Sequence, residues 1–415
     1  MGRWDGRLRG LVLGLLVLLG PARGDGEPLT QPTSRVLLQC AGARDPGGLR
    51  SRLHAARAGE ATFRVLHFGD SHVAADLFPD GVRRRLQQQY GDGGPGFVGL
   101  GRPPGRYAHR QLRFRRGGTW QEEWIRDHRW RDDGIYGLDG VLVTSRSPGA
   151  WLSLQDVTPS PTPLRRLELW TWPTPEGGGL ELRLDGVVHR PPSPAVTTTS
   201  WRREVVPVEP GVRTLQLRQR GPGPVRLLGV TAERGPGVVW DALGVNGARA
   251  ISLLHRDPRL LAELIRARAP ALLVLGYGTN EGADQDEPLE VYREALHQVL
   301  LLLRWAAGDE PDCLLLGPTD WPLRRAGQPP APNPRLRLIT EVQGELAARH
   351  GCLFWDTQAA MGGPGSILRW AVSSPALARP DLLHLTPAGY DLLASLLTEA
   401  LTAALEQGDC SGATL

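Results

Sequence analysis

The chain has 415 residues, a length that predicts one large domain or two. Hydrophobic residues make up 41% and charged residues 22%, which is typical of a globular protein. The net charge of +4 comes from arginines scattered along the chain, without a long basic run. This charge distribution argues against a nucleic-acid partner.

The N-terminus has the pattern of a secretory signal. Three arginines in the first nine residues precede the apolar segment Leu11–Leu19, and the small residues Ala22 and Gly24 follow it. We predict a signal peptide over residues 1–24. The apolar segment is short for a membrane span and no later stretch has spanning length, so we expect export to the periplasm or beyond, without stable membrane insertion after cleavage.

Export makes disulfides permissible, and four cysteines allow three pairings. Cys313 and Cys352 each open a strand-like apolar run, so they could bridge neighbouring strands. Cys40 and Cys410 would then tie the two ends of the chain together. Four buried free thiols are the alternative.

The mature chain opens with elements of an α/β unit. The apolar run Phe63–Phe68 predicts a buried strand, and Gly69 can supply the turn that ends it. Phe78–Tyr90 has apolar residues at helical spacing, and the glycine-rich stretch 91–96 breaks that helix. Residues 25–100 are therefore predicted to form the first part of the host domain.

Helical periodicity disappears between residues 101 and 235. Alternating segments predict strands at Leu164–Trp172, Leu180–Val188, Arg213–Gln219 and Val225–Ala232. We expect an inserted antiparallel unit with a sandwich or jelly-roll arrangement. Seven tryptophans fall inside it, and exposed tryptophans stack on sugar rings, so a carbohydrate-binding insert is one interpretation. Each tryptophan taken singly is more typical of a core.

From residue 236 to residue 415 strands alternate with helices again. The predicted strands are Ala271–Leu275, Cys313–Leu316 and Cys352–Trp355, and the predicted helices are Pro288–Trp305, Arg335–His350 and Pro387–Leu405. This alternation predicts a parallel sheet between two helix layers, and hence an α/β fold.

Polar residues follow the predicted strands of this α/β part. Ser71 comes directly after the first strand, where ligands of open α/β sheets bind. Asp70 or Ser71 could instead simply cap a helix that begins near Val73. The glycine-rich turn Gly244–Ala248 can aim a backbone N–H at an anion, although an ordinary tight turn has the same composition.

Two further groups complete the pattern. Asn280 follows the turn after a buried strand, where its amide can donate to an oxyanion or simply shape the turn. Asp381 and His384 lie just before the final helix, and their spacing lets both side chains converge on a bent segment. His384 could accept a proton from Ser71 while Asp381 holds the imidazole; a surface aspartate beside a partly buried histidine is the structural alternative.

The order Ser, Gly, Asn, Asp and His along one α/β chain resembles the SGNH, or GDSL-like, hydrolases, although the first block reads Gly-Asp-Ser-His. The Gly-x-Ser-x-Gly elbow of α/β-hydrolases is absent around Ser71. Residues 68–76, 94–98, 244–248 and 278–281 are similar to those of bacterial peptidoglycan O-acetylesterases. Those exported enzymes remove acetyl from the 6-hydroxyl of N-acetylmuramic acid, and they carry a β-rich, carbohydrate-binding-like insert.

The resemblance implies an SGNH-type three-layer α/β/α sandwich with a jelly-roll-like insert. It implies Ser71 as nucleophile, with Asp381 and His384 completing the triad. The Ser71 and Gly247 N–H groups and the Asn280 amide would form the oxyanion hole, with Gly244 as a second candidate for the glycine donor. Glu281 stands where many SGNH enzymes have aspartate, and it matches the acetylesterase pattern.

The implied mechanism needs no cofactor and no metal, and the histidines show no ligand-type clustering. The expected partner is an acetylated glycan, with peptidoglycan favoured. An O-acetyltransferase, an esterase acting on another acetylated glycan or a lipid, and a non-catalytic glycan-binding protein are the alternatives. We expect Asp70 to form a turn, and His72 to be too close to Ser71 in the chain to act as its base.

Overall fold

The structure is a computed structural model that describes residues 36–40, 46–101, 109–126, 129–190 and 199–410. The predicted signal peptide, residues 1–24, lies outside the described residues. The strands are β1 (Thr62–Gly69), β2 (Gly96–Val98), β3 (Leu112–Gly117), β4 (Gln121–Trp124), β5 (Val141–Ser145), β6 (Trp151–Asp156), β7 (Arg166–Thr171), β8 (Gly179–Leu184), β9 (Val187–Arg190), β10 (Arg202–Pro207), β11 (Thr214–Arg220), β12 (Val225–Glu233), β13 (Gly237–Gly244), β14 (Leu272–Gly276), β15 (Asp312–Leu316) and β16 (Leu353–Trp355).

The α-helices lie before, between and after these strands. They are α1 (Pro46–Arg57), α2 (Ser71–Ala74), α3 (Leu77–Tyr90), α4 (Pro258–Arg268), α5 (Leu289–Ala307), α6 (Pro334–His350), α7 (Thr357–Ala360), α8 (Ser366–Val372) and α9 (Pro387–Thr402). Thr386 caps α9 through its side chain, whereas Pro288 is the N-cap of α5 rather than the first helical residue that the predicted range Pro288–Trp305 makes it.

A five-stranded parallel sheet forms the centre of the α/β part, in the order β13-β1-β14-β15-β16. Alternate side chains of each strand face opposite sides. Val65 therefore joins one apolar core with α1, α3 and α9, while Leu66 joins another with α4, α5 and α6. The predicted three-layer α/β/α architecture is confirmed.

Two antiparallel sheets lie between β1 and β13 along the chain. One has the order β10-β7-β12-β5-β4, with β2 also paired to β12, and the other has the order β3-β6-β11-β8-β9. A shared core joins the two sheets, because Leu169 and Leu227 of the first cluster with Leu182 and Leu217 of the second. The antiparallel pairing begins at Gly96–Val98, slightly before the boundary expected at residue 101.

One predicted strand is wrong. Leu180–Val188 was expected to be continuous, but it is a hairpin in which β8 and β9 pair around Asp185 and Gly186. Both turn residues have positive φ, 46° and 85°. Asp-Gly is the composition that favours such a two-residue hairpin turn, so the reversal was encoded locally.

A buried ionic cluster joins the sandwich to the α/β part. Glu233, at the end of β12, accepts hydrogen bonds from Arg64 on β1 and Arg268 on α4. Arg268 also donates to Asp241 on β13. Burial alone would raise the pKa of Glu233, but the two guanidinium groups outweigh it and lower this pKa to about 2.

The disulfides are Cys313–Cys352 and Cys40–Cys410, as predicted. The first bridges the starts of neighbouring strands, and the second ties the segment before α1 to the segment after α9. Among the described residues, no helix combines the length and apolar character needed to cross a bilayer.

Candidate active site

Three neighbouring strands end at the same level of the parallel sheet. Gly69 at the end of β1 is in register with Gly244 of β13 on one side and with Gly276 of β14 on the other. The segments after these glycines carry Ser71, the Gly247 turn and Asn280. The sheet therefore brings three of the four predicted groups to one edge, where α/β folds bind ligands.

Gly244 is needed because another backbone lies directly against it. A Cβ atom at this position would lie 2.3 Å from the amide nitrogen of Ala74 and 2.7 Å from the carbonyl oxygen of Asp70. Helix α2, which begins at Ser71, thus rests on the end of β13. This packing fixes the height of Ser71 above the sheet and gives Gly244 a steric role.

Ser71, His384 and Asp381 form a continuous hydrogen-bonded line. The Oγ atom of Ser71 lies 3.1 Å from Nε2 of His384. The other ring nitrogen, Nδ1, lies 2.9 Å from Oδ2 of Asp381. The arrangement matches the nucleophile, base and orienting acid of serine hydrolases in both order and distance.

A sharp bend at Leu382 brings the side chains of Asp381 and His384 together. Leu382 has a φ of +57°, in the left-handed region that β-carbon-bearing residues rarely adopt. Oδ1 of Asp381 accepts hydrogen bonds from the N–H groups of Leu383 and His384, both at 3.0 Å. Partial burial would raise the pKa of Asp381, but the hydrogen bonds from His384 and these amides outweigh it and lower the pKa.

Asn280 contacts the two turns that carry Ser71 and Gly247. Its Nδ2 atom donates to the carbonyl oxygen of Ala248 at 3.0 Å and lies 3.4 Å from Oδ2 of Asp70. Gly247 is exposed in the same Gly244–Ala248 turn, with a φ of +75°. The structure thus places the Asn280 amide and the Gly247 turn at the edge of the sheet that carries Ser71.

Comparisons with known proteins give a family match over part of the chain and a solved structure with a similar fold. The sequence profile of the GDSL-like Lipase/Acylhydrolase family matches residues 210–392, a range that includes Asn280, Asp381 and His384. The solved structure described as "Peptidoglycan O-acetylesterase in action, 5 min" overlays with a TM-score of 0.75 at 23% identity, covering 88% of this chain and 99% of that one.

The fold is that of an SGNH-type α/β/α sandwich, and residues 210–392 are similar to the GDSL-like Lipase/Acylhydrolase family.

The overlay on a family two carbohydrate esterase from Cellvibrio japonicus covers 72% of this chain and 99% of that one, at 11% identity and a TM-score of 0.30. That similarity is too low to add to the fold assignment. No curated protein sequence matches the chain.

Asp70 caps α2, as the sequence suggested. Its Oδ1 atom accepts a hydrogen bond from the N–H of His72 at 2.9 Å. Asp70 is buried, and this burial raises its pKa to about 7 against the opposing effect of that hydrogen bond. The carboxyl therefore links the Ser71 turn to Asn280, a contact that the sequence reasoning missed.

His72 is held away from Ser71 by a buried polar chain. Its Nδ1 atom lies 2.9 Å from the hydroxyl of Tyr390, and its Nε2 atom lies 3.0 Å from Oγ1 of Thr319. Burial, together with the nearby His384, lowers the pKa of His72 to about 3. His72 is therefore neutral with both ring nitrogens occupied, and its ring centroid lies 5.7 Å from that of His384. No local signal in the sequence marks Thr319 or Tyr390 for this task.

Glu281 links the turn that carries Asn280 to the 3₁₀ helix that begins at Ala250. Its two carboxyl oxygens accept hydrogen bonds from the N–H groups of Ala250 and Gly278, at 2.9 and 3.0 Å. Burial raises the pKa of Glu281 to about 7, opposed by these backbone hydrogen bonds. Glu281 thus fixes the spacing between the Asn280 turn and the short 3₁₀ helix Ala250–His255.

Proposed function

We propose that this protein is an exported esterase that removes O-acetyl groups from cell-wall glycan, with peptidoglycan N-acetylmuramic acid as the substrate. The observation that carries the proposal is the hydrogen-bonded line from Ser71 through His384 to Asp381, on a fold similar to that of a peptidoglycan O-acetylesterase. Two disulfides support action in an oxidising compartment, where such a glycan is found.

In the proposed mechanism, Oγ of Ser71 attacks the acetyl carbonyl carbon while Nε2 of His384 accepts the hydroxyl proton. Asp381 keeps the proton of the neutral ring on Nδ1 and stabilises the imidazolium that forms. The C–O bond to the sugar then breaks, and His384 returns the proton to the leaving sugar oxygen. Water attacks the acetyl-Ser71 ester with the same base, releasing acetate and regenerating the hydroxyl.

The oxyanion would be held by the N–H groups of Ser71 and Gly247 and by the amide of Asn280. The hydrogen bond from Nδ2 of Asn280 to the Ala248 carbonyl oxygen fixes the amide plane before substrate arrives, and the second N–H of Nδ2 would exchange its long 3.4 Å contact with Asp70 for the oxyanion. A preorganised donor costs no reorganisation during the reaction, and removing one typically lowers turnover about 100- to 1000-fold.

The test uses the purified mature protein and its Ser71→Ala variant. Wild type should release acetate from an aryl acetate and from O-acetylated peptidoglycan, and the variant should release none from either. O-acetylated xylan serves as the comparison substrate. Faster acetate release from xylan would contradict the proposed substrate, and equal activity of Ser71→Ala would contradict the nucleophile. Transfer of acetyl to an added glycan acceptor would indicate an O-acetyltransferase instead.

A further inference from the structure

A solvent-open cleft lies beside the proposed catalytic groups. It encloses about 700 Å³, including the solvent at its mouth. Its wall includes Glu281, the neighbour of Asn280, and Ala250, in the segment that follows the Gly247 turn. The cleft therefore shares its wall with the loops that carry the proposed oxyanion donors, yet it contains neither Ser71 nor His384 among its lining residues.

An aromatic pair stands at the rim of this cleft. His255 lines the cleft, and the indole of Trp130 stacks flat on its ring, with centroids 3.8 Å apart and an interplanar angle of 1°. Trp130 is 44% exposed, unlike the fully buried Trp170 of the same sandwich. The sequence alone made each tryptophan a core candidate, and Trp130 departs from that expectation.

The position of the pair relative to the proposed catalytic groups is fixed. His255 ends the 3₁₀ helix whose first residue, Ala250, donates its N–H to Glu281. Glu281 also accepts from the N–H of Gly278 in the turn before Asn280. Two hydrogen bonds to one buried carboxyl thus link the aromatic rim to the proposed oxyanion site.

The polar lining defines which ligand the cleft can take. Arg249 makes a two-point ion pair with Asp284, at 2.8 and 2.9 Å, and Glu287 adds a carboxyl group, whereas the buried carboxyl of Glu281 is occupied by backbone N–H groups. The charges of Arg249 and Asp284 balance each other and Glu287 adds a carboxylate, so the polar lining does not favour an anion. Paired carboxylates and guanidinium groups at a half-open surface are good partners for neutral hydroxyl and amide groups.

We propose that this cleft is a subsite for an uncharged pyranose ring, the amino sugar next to the acetylated sugar in a glycan strand. Its face would stack on the Trp130–His255 pair, and its hydroxyl and N-acetyl groups would meet Arg249 and Asp284. This inference rests on the proposed function, which it deepens by naming what lies beside the cleaved ester. Through Trp130, the antiparallel sandwich would bind the polymeric substrate directly.

The experiment measures binding separately from hydrolysis. The N-acetylglucosamine tetramer is titrated calorimetrically into the wild-type protein and into Trp130→Ala, Trp130→Tyr and Trp305→Ala. Trp305 is the matched control, because it is 52% exposed on α5 and packs against Arg266 rather than at the cleft. Aryl acetate hydrolysis reports the integrity of every variant, since such a small ester does not reach the subsite.

Trp130→Ala should weaken tetramer binding about 10-fold, the loss expected for one aromatic stacking contact. Trp130→Tyr should keep binding within about 3-fold because it retains a flat aromatic face, and Trp305→Ala should match the wild type. All three should hydrolyse the aryl acetate at the wild-type rate. Tetramer binding that is absent from the wild type, or unchanged in Trp130→Ala, would overturn the subsite. If Trp130→Ala fails to fold, a Trp130→Tyr variant that binds 10-fold more weakly also overturns it. Failure of the proposed function would appear separately, as no acetate release from O-acetylated peptidoglycan.

Discussion

Replacing Asp381 with asparagine isolates the part this carboxylate plays in controlling the His384 tautomer. The asparagine carbonyl oxygen can still accept from the N–H groups of Leu383 and His384, so the bend survives. The amide NH₂ then faces Nδ1 of His384, where a carboxylate oxygen lies 2.9 Å away in the wild type. Because the amide donates, Nδ1 must accept, and the ring proton moves to Nε2, opposite Ser71. The ring can then no longer take the proton from the nucleophile.

The size of the effect follows from the exposure of the pair. Unit charges about 4 Å apart attract by about 1 kcal/mol in water and about 4 kcal/mol at an effective dielectric constant of 20. The Asp381 and His384 side chains are 47% and 33% exposed, which places them between these limits. Loss of the Asp381 charge alone should therefore lower kcat about 5- to 1000-fold. With His384 also in the wrong tautomer, the expected decrease in kcat is about 1000- to 10,000-fold.

The assay is aryl acetate hydrolysis between about pH 6 and 9, with kcat and KM measured separately. Asp391→Asn makes the same chemical change on the exposed face of α9, where Asp391 pairs with Arg85, and should keep the wild-type kcat. KM should change little in Asp381→Asn, because the carboxylate does not touch the substrate. A folded Asp381→Asn variant that keeps more than a tenth of the wild-type kcat would refute the tautomer argument.

Three further substitutions test the proposed oxyanion donor Asn280, the packing of Gly244 against α2, and the buried ionic cluster around Glu233. Asn280→Ala should lower kcat on an aryl acetate about 100- to 1000-fold with little change in KM, because the lost bond forms only in the transition state; a rise in KM alone would contradict this. Gly244→Ala should cost at least about 10-fold in kcat and about 1–3 kcal/mol of unfolding free energy, since its methyl group meets the backbone of Ala74 and Asp70; wild-type kinetics and an unchanged urea midpoint would contradict it. The lowered pKa of Glu233 contributes stability that is present above about pH 4.5 and is lost as the pH falls through about 2, on the order of 3 kcal/mol in total. In Glu233→Gln, urea unfolding should show a smaller loss between pH 5 and pH 2.5 than the wild type shows, and equal losses would contradict the ion-pair reasoning.

The sequence was informative wherever the decisive signal is local. The apolar run before Gly69, the proline after Thr386 and the alternating segments of the sandwich each predict their element from a few neighbouring residues. The Asp185–Gly186 reversal was equally local, and its misassignment came from following the hydrophobic pattern across a turn signal.

The supporting contacts could not be predicted, because they join side chains that are distant in the chain. Nothing near Asp70 indicates that Asn280 will lie 3.4 Å from it, since that contact depends on β1 and β14 ending in register. The hydrogen bonds of His72 to Thr319 and Tyr390 depend in the same way on how the segment after β15 and helix α9 pack. Sequence order predicted which groups meet, and three-dimensional packing decided what holds them in place.

The position of the sandwich between β1 and β13 also affects the order in which the chain folds. The strand that leads to Ser71 leaves the ribosome before either of its sheet neighbours, β13 and β14, has been made. Its pairing with β13 must close a loop that contains both antiparallel sheets. The entropic cost of closing such a loop falls by about 0.6 kcal/mol each time the effective loop length is halved. Collapse of the sandwich before the central sheet would shorten that loop and bring the ends of β1 and β13 together. Substitutions in the sandwich core would then slow maturation of the enzyme and lower its yield, while molecules that do fold would turn over small esters at the normal rate.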